Sequence, residues 1–210
     1  MDRMSYQVYE MLHLAFAPAR AATDALLHTI KSPLNPFSHT SFGRSIAASA
    51  ELFERMTRRY GKPLFGLDTT TIDGVEVAIV EEHVWMKPFC GLLHFKRAFE
   101  DEAPRQSKLL IVAPMSGHYA TLLRGTVEAF LPTHDVYITD WADARTVPLI
   151  DGSFDLDDYV DYLEEMLRHL AQDGQPVHTL GVCQASVPLI CAIAAMEAAN
   201  DPAAPDSMVL

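Results

Sequence analysis

His178-Thr179-Leu180-Gly181-Val182-Cys183-Gln184-Ala185, continuing through Ser186-Val187-Pro188-Leu189-Ile190-Cys191-Ala192, is the stretch that decides the fold. Its opening residues read as a strand and the apolar run from Gln184 to Ala199 as a helix, so Cys183 falls on the turn between them. A turn that presents a nucleophile in this way is strained and brings strand and helix backbones together, which demands small residues two before it and two after. Gly181 and Ala185 meet that demand. The turn would also set the sulfur beside the amino end of a helix, where the dipole favours negative charge. A buried core cysteine is the competing reading, because free cysteine is among the most buried residue types.

The flanking sequence supports the first reading. Lys108 to Ala113 is a short continuous apolar run of the kind found in strands buried on both faces, and it ends in the loop Pro114-Met115-Ser116-Gly117-His118. A helix is predicted from Ala120 to Phe130, then a strand from Asp135 to Thr139 that ends at Asp140-Trp141. After a loop with Pro148 and Gly152 comes a helix with Asp157, Asp158 and Asp161 in its first turns and Arg168 and His169 in its last, a charge order that complements the helix dipole. Ser207 to Leu210 begins a further strand. This alternation predicts a mostly parallel sheet with helices on both faces, and with the turn at Cys183 it is the pattern of an α/β-hydrolase fold. In that pattern the backbone N–H groups of Gln184 and Ser116 can converge on one oxyanion. His118 and Asp140 stand at the same sheet edge as candidates to touch substrate. As a base, His118 is disfavoured, since the base of this fold follows the nucleophile in chain order. Cys90 and Cys191 sit among apolar neighbours and are expected to pack rather than react.

Upstream, Val75, Val77 and Ile79 alternate with polar residues through Val84, and a second run, Leu92 to Phe95, follows Pro88-Phe89-Cys90-Gly91, which predicts a β-hairpin. Residues 1–60 read as a helical extension: one helix over Tyr6 to Phe16, a break at Pro18, a second over Ala21 to Ile30, and a third capped by Ser41. Residues 61–210 form the amino-terminal part of the hydrolase domain.

Composition narrows the function classes. A formal net charge of -12 without a Lys/Arg block argues against nucleic acid as a partner. Three cysteines in 210 residues are an odd number in a chain too large to need disulfide staples, which suits a reducing cytoplasm. No stretch reaches the roughly 18 apolar residues of a membrane span. No metal-ligand spacing, phosphate-binding loop or dinucleotide fingerprint is present, so neither a metal nor a cofactor is expected.

Beyond the turn itself, several blocks together resemble the intracellular polyhydroxyalkanoate (polyhydroxybutyrate) depolymerases: Gly181-Val-Cys183-Gln-Ala185; Val112-Ala-Pro-Met-Ser-Gly-His-Tyr119; Tyr137-Ile-Thr-Asp-Trp141 with Val147-Pro148; Phe154-Asp-Leu-Asp-Asp-Tyr159; Tyr6-Gln-Val-Tyr-Glu10; and Lys87-Pro-Phe-Cys90. The resemblance runs along nearly the whole chain. It implies hydrolysis of ester bonds in polyester granules of the cytoplasm through a Cys-Asp-His triad, with Cys183 as the nucleophile and the Asp and His expected past Leu210, so that the chain reads as a fragment without meaningful activity of its own. Polyhydroxyalkanoate synthases, which share the fold and the cysteine, are the nearest alternative, although their turn usually closes with glycine where Ala185 stands here. A granule-binding protein without catalysis, using the apolar helices from Tyr6 to Ile30, is an alternative of another class.

Overall fold

The computed structural model describes residues 11–32, 34–58, 61–99, 105–115 and 119–210. They divide into two compact units, Met1–Gly61 and Lys62–Leu210.

In the first unit, helix α1 spans Ala17–Ile30 and α2 spans Ser41–Thr57. Pro18 lies in the first turn of α1 rather than in a break ahead of it, since a proline there gives up only an N–H that has no partner within the helix. The cap of α2 is Thr40, one residue before the expected Ser41; its hydroxyl accepts the Gly43 N–H at 3.0 Å. Gly43 is needed because a Cβ there would lie 1.9 Å from the Phe37 carbonyl oxygen of the 3-10 turn Pro36–His39. Arg20 donates to the Thr57 carbonyl at 3.0 Å, and Phe16 meets Phe53 edge to face, which ties the two helices together. No residue of α1 is buried.

The second unit is built on a seven-stranded sheet: β1 Thr69–Ile72, β2 Val75–Lys87, β3 Cys90–Ala98, β4 Lys108–Val112, β5 Asp135–Trp141, β6 Val177–Gly181 and β7 Ser207–Val209, in the order β1-β2-β3-β5-β4-β6-β7. The β2–β3 hairpin is longer than expected, and its connection is Pro88-Phe89 alone, Cys90 and Gly91 being already paired with Lys87 and Met86. Through β3 it joins β5 antiparallel, so the sheet is mixed: the pairings among β4, β5, β6 and β7 are parallel and those of β1, β2 and β3 antiparallel. The part from β4 onward is parallel, as the helix-strand alternation after residue 108 implies, and the hairpin adds the antiparallel strands that the alternation does not reach.

Helix α3, Arg124–Phe130, links β4 to β5; α4, Leu156–Leu170, links β5 to β6; and α5, Ser186–Ala198, links β6 to β7. Because the chain steps one way from β4 to β5 and the other way afterwards, right-handed crossovers put α3 on one face and α4 with α5 on the other. In agreement, α4 packs on α5. α4 opens on a capping box in which Asp155 accepts from the Asp157 and Asp158 N–H groups while Asp158 accepts from the Asp155 N–H. Its buried stripe is Tyr159, Tyr162, Leu163, Met166, Leu167 and Leu170. Strand β4 is buried at every position, which is why it reads as an unbroken apolar run.

Candidate active site

The β6–α5 turn has the geometry its sequence implies. The Val182 N–H still donates to the Val112 carbonyl at 3.2 Å, so pairing with β4 persists to the residue before Cys183. Cys183 then adopts φ 57°, a left-handed conformation that costs a non-glycine residue about 1–2 kcal/mol, and the chain turns through the 3-10 segment Cys183–Ala185 into α5. Packing enforces the bend: a Cβ on Gly181 would stand 2.9 Å from Leu189 and 3.2 Å from the Ser186 backbone, and Ala185 is fully enclosed. The Ser186 hydroxyl returns to the Gly181 carbonyl at 3.3 Å. Strain held by such constraints is typical of functional turns. Cys183 is exposed, which removes the core-cysteine reading.

Gln184 has a second role that its place in the motif did not suggest. Its side-chain oxygen accepts the Met115 N–H at 3.0 Å, which ties the loop after β4 to the turn after β6. The start of that loop is held further. The Ala113 N–H donates to the Thr139 hydroxyl at 2.9 Å, and the Ala113 carbonyl accepts from the Trp141 indole at 2.9 Å and the Tyr159 hydroxyl at 3.4 Å. Burial, reinforced by the neighbouring Cys90, pushes the Tyr159 phenol above its ordinary pKa, so it remains a donor. Ser116 and His118, expected as oxyanion donor and substrate contact, lie outside the described residues.

Asp140 is at the carboxyl end of β5, where it pairs with Lys62 and accepts from or faces His83 Nε2 at 3.2 Å. The imidazole reaches it across β3 because Gly91 leaves the space; a Cβ there would lie 2.6 Å from the His83 ring. The β2–β3 pairing register shifts between His83 and Trp85. Asp140 Oδ1 is enclosed and has no hydrogen-bond partner among the described residues. Among the described residues, no histidine or carboxylate is hydrogen-bonded to Cys183.

The other two cysteines differ from each other. Cys90 is buried, and burial first, then the Asp140 charge, pushes its thiol well above the ordinary value. Cys191, expected to pack, is exposed: the buried positions of α5 are Pro188, Leu189, Ala192 and Met196, and Cys191 lies off that stripe. Sequence reading also missed a polar cluster at the opposite end of β5. His94 Nε2 lies 2.8 Å from Asp135 Oδ1, its ring stacks on Tyr137, and the Tyr137 hydroxyl donates to Asp135 Oδ2 at 2.9 Å. Burial raises the Asp135 carboxyl, but His94, Tyr137 and Arg97 outweigh it and hold the group below the usual carboxylate value. Only the alternation of β3, which would have put His94 and Arg97 on a sheet, hinted at these residues.

Strand order, strand direction and the left-handed turn at Cys183 together define an α/β-hydrolase fold. No family model matches the chain, and the search of curated proteins returned no significant match. Among solved structures, it is similar to the Francisella virulence factor BioJ, at 11% identity and a TM-score of 0.42 over 88% of this chain and 56% of that one. It is also similar to the Aspergillus niger epoxide hydrolase, at 12% identity and a TM-score of 0.44 over 88% of this chain and 48% of that one. The chain thus spans about half the length of each.

Proposed function

We propose that this chain carries the nucleophile of a thiol-dependent ester hydrolase acting on polyhydroxyalkanoate, and that the nucleophile is Cys183. The observation that supports it is the exposed thiol held at φ 57° between a β-strand and a helix, with Gly181 and Ala185 packed too tightly for larger side chains. The polymer as substrate, with the cytoplasm and its granule surfaces as the place of action, rests on the sequence blocks that resemble the depolymerases. Among the described residues no helix is long and apolar enough to cross a membrane.

In the reaction, the Cys183 thiolate adds to the ester carbonyl of a 3-hydroxyalkanoate unit, and the backbone N–H groups of Gln184 and Ser116 bind the oxygen as it gains charge. Collapse breaks the C–O bond, the departing alkoxide takes a proton from a histidine, and an acyl-thioester remains on Cys183. Water, deprotonated by the same histidine, then hydrolyses the thioester. That histidine and its orienting aspartate are part of the reading by resemblance and are assigned to no residue of this chain.

Acid quenching after incubation of the chain with an activated 3-hydroxybutyrate ester tests this reading. Peptide mapping should find the 3-hydroxybutyryl group on Cys183 and nowhere in a Cys183→Ser variant under the same conditions. An acyl group on Cys191 or on any other residue in place of Cys183 would overturn the assignment. A synthase would differ at the next step, passing the acyl group to an added hydroxyacyl alcohol faster than to water.

A further inference from the structure

We infer that the Gln184 side chain is a positioning residue for acyl transfer at Cys183, holding the loop after β4 in place against the turn that carries the nucleophile; this rests on the reading of Cys183 as the nucleophile of an ester hydrolase. The backbone explains why a side chain is needed there. β4 and β6 pair in parallel up to Val112 and Gly181, and the Val182 N–H still reaches the Val112 carbonyl at 3.2 Å. At Cys183 the chain enters its left-handed conformation and bends away into α5, and among the described residues the backbone pairing with the β4 segment ends. The segment leaving β4 runs on through Ala113, whose N–H and carbonyl are both taken by side chains of β5 and α4, and Pro114, which has no N–H. Met115 therefore carries the first backbone donor that β5 and α4 leave uncommitted, and it goes to Gln184 Oε1 at 3.0 Å. One residue past the nucleophile, this bond extends the β4–β6 connection beyond the point where backbone pairing stops.

The bond also fixes which way the carboxamide faces. A backbone N–H can only donate, so the oxygen of the Gln184 amide lies toward Met115 and its NH2 group away from it. Among the described residues that NH2 group has no hydrogen-bond partner, so the arrangement uses Gln184 as an acceptor. Asparagine, one carbon shorter, would not reach Met115, and leucine would offer no acceptor.

Position matters here because two elements must converge on one oxygen. In the proposed reaction one oxyanion donor is the Gln184 N–H at the turn, and the other comes from the loop after β4. One residue thus supplies the first donor through its backbone and places the loop that supplies the second through its side chain. The bond is exposed to solvent, so its loss should leave global stability nearly unchanged. A misplacement of about 1 Å between reacting groups and their donors can nevertheless cost about a hundredfold in rate.

Acylation of the chain by p-nitrophenyl 3-hydroxybutyrate tests the proposal. Attack by the Cys183 thiolate forms the C–S bond, and the C–O bond breaks to expel p-nitrophenolate, a leaving group that needs no proton. Gln184→Leu should acylate at least about tenfold more slowly than wild type. Its melting temperature should not change, nor should the alkylation of Cys183 by iodoacetamide, a reaction that builds no oxyanion. Gln184→Glu keeps an acceptor for Met115 and should recover most of the lost rate when compared at equal thiolate fraction, read from the pH dependence of alkylation. By NMR, amide exchange at Met115 should speed up at least about fivefold in Gln184→Leu and stay slow in Gln184→Glu, while the Ala113 amide, held by Thr139, should not change. Equal acylation of wild type and Gln184→Leu, whether measurable or absent in both, would overturn the proposal. So would unaltered exchange at Met115, no recovery by Gln184→Glu, or alkylation that falls in step with acylation. The reading of Cys183 is judged separately, by which residue carries the 3-hydroxybutyryl group.

Discussion

Adding a single methyl group at Gly181 is the sharpest test of the turn that presents Cys183. A Cβ at this position would stand 2.9 Å from Leu189 Cδ2, 3.2 Å from Ser186 Cα and 3.3 Å from Leu210 Cδ2. The Leu189 side chain has nowhere to retreat, because it is fully buried, and the Ser186 atom is backbone at the start of α5. Overpacking of this kind typically costs about 1–3 kcal/mol. For a domain of this size that corresponds to a fall in melting temperature of about 3–10 °C. Gly125→Ala is the matched control: Gly125 lies within α3, a Cβ there meets nothing within 4 Å, and alanine in a helix interior gains about 0.5–1 kcal/mol over glycine. Thermal and urea unfolding of both variants, followed by circular dichroism, gives the two numbers on one scale. If Gly181→Ala melted at or above the wild-type temperature, strand and helix would not approach as closely as described, and the packing argument for the turn would fail.

Brief alkylation with peptide mapping should label Cys183 and Cys191 while sparing Cys90, which is buried with its thiol pushed up, and should label Cys183 first; early labelling of Cys90 would contradict its burial. Cys183→Gly should be more stable than Cys183→Ala by about 0.5–1 kcal/mol, because glycine relieves the left-handed strain at φ 57° and gives back part of the gain through its freer unfolded chain; the reverse order would mean the turn is not strained. Asp135→Asn should cost about 1.5–3 kcal/mol at neutral pH through the loss of charged hydrogen bonds to His94 and Tyr137. Because the folded Asp135 carboxyl lies below its ordinary value, its contribution is present above that value and disappears as pH falls from it through the folded pKa. Urea midpoints between about pH 5 and pH 2 should therefore fall less steeply for Asp135→Asn than for wild type, and parallel curves would refute the assignment.

Elements whose pattern is local were legible in the sequence. The unbroken run of β4, the 3.6-residue stripe of α4 and the Gly181-x-Cys183-x-Ala185 spacing each report a periodicity or a size constraint that neighbouring residues impose on one another. β1 was missed because Thr69–Ile72 is short and carries no alternation that burial would select, only Ile72 being buried. The sharp turn at Cys183 was legible for the same local reason, while the Gln184 side chain's hold on Met115 joins segments 69 residues apart.

By itself the sequence determined that an α/β chain turns sharply at Cys183, since only small residues fit where a strand feeds directly into a helix, and that demand is written within five positions. Only the tertiary structure decided that the hairpin joins β5 to make the sheet mixed, that His83 crosses Gly91 to reach Asp140, and that Cys191 faces outward while Cys90 is enclosed. Strand order and burial depend on which distant surfaces meet, and the apolar patterns of β2, β3 and α5 are compatible with more than one such meeting until packing and backbone pairing select among them.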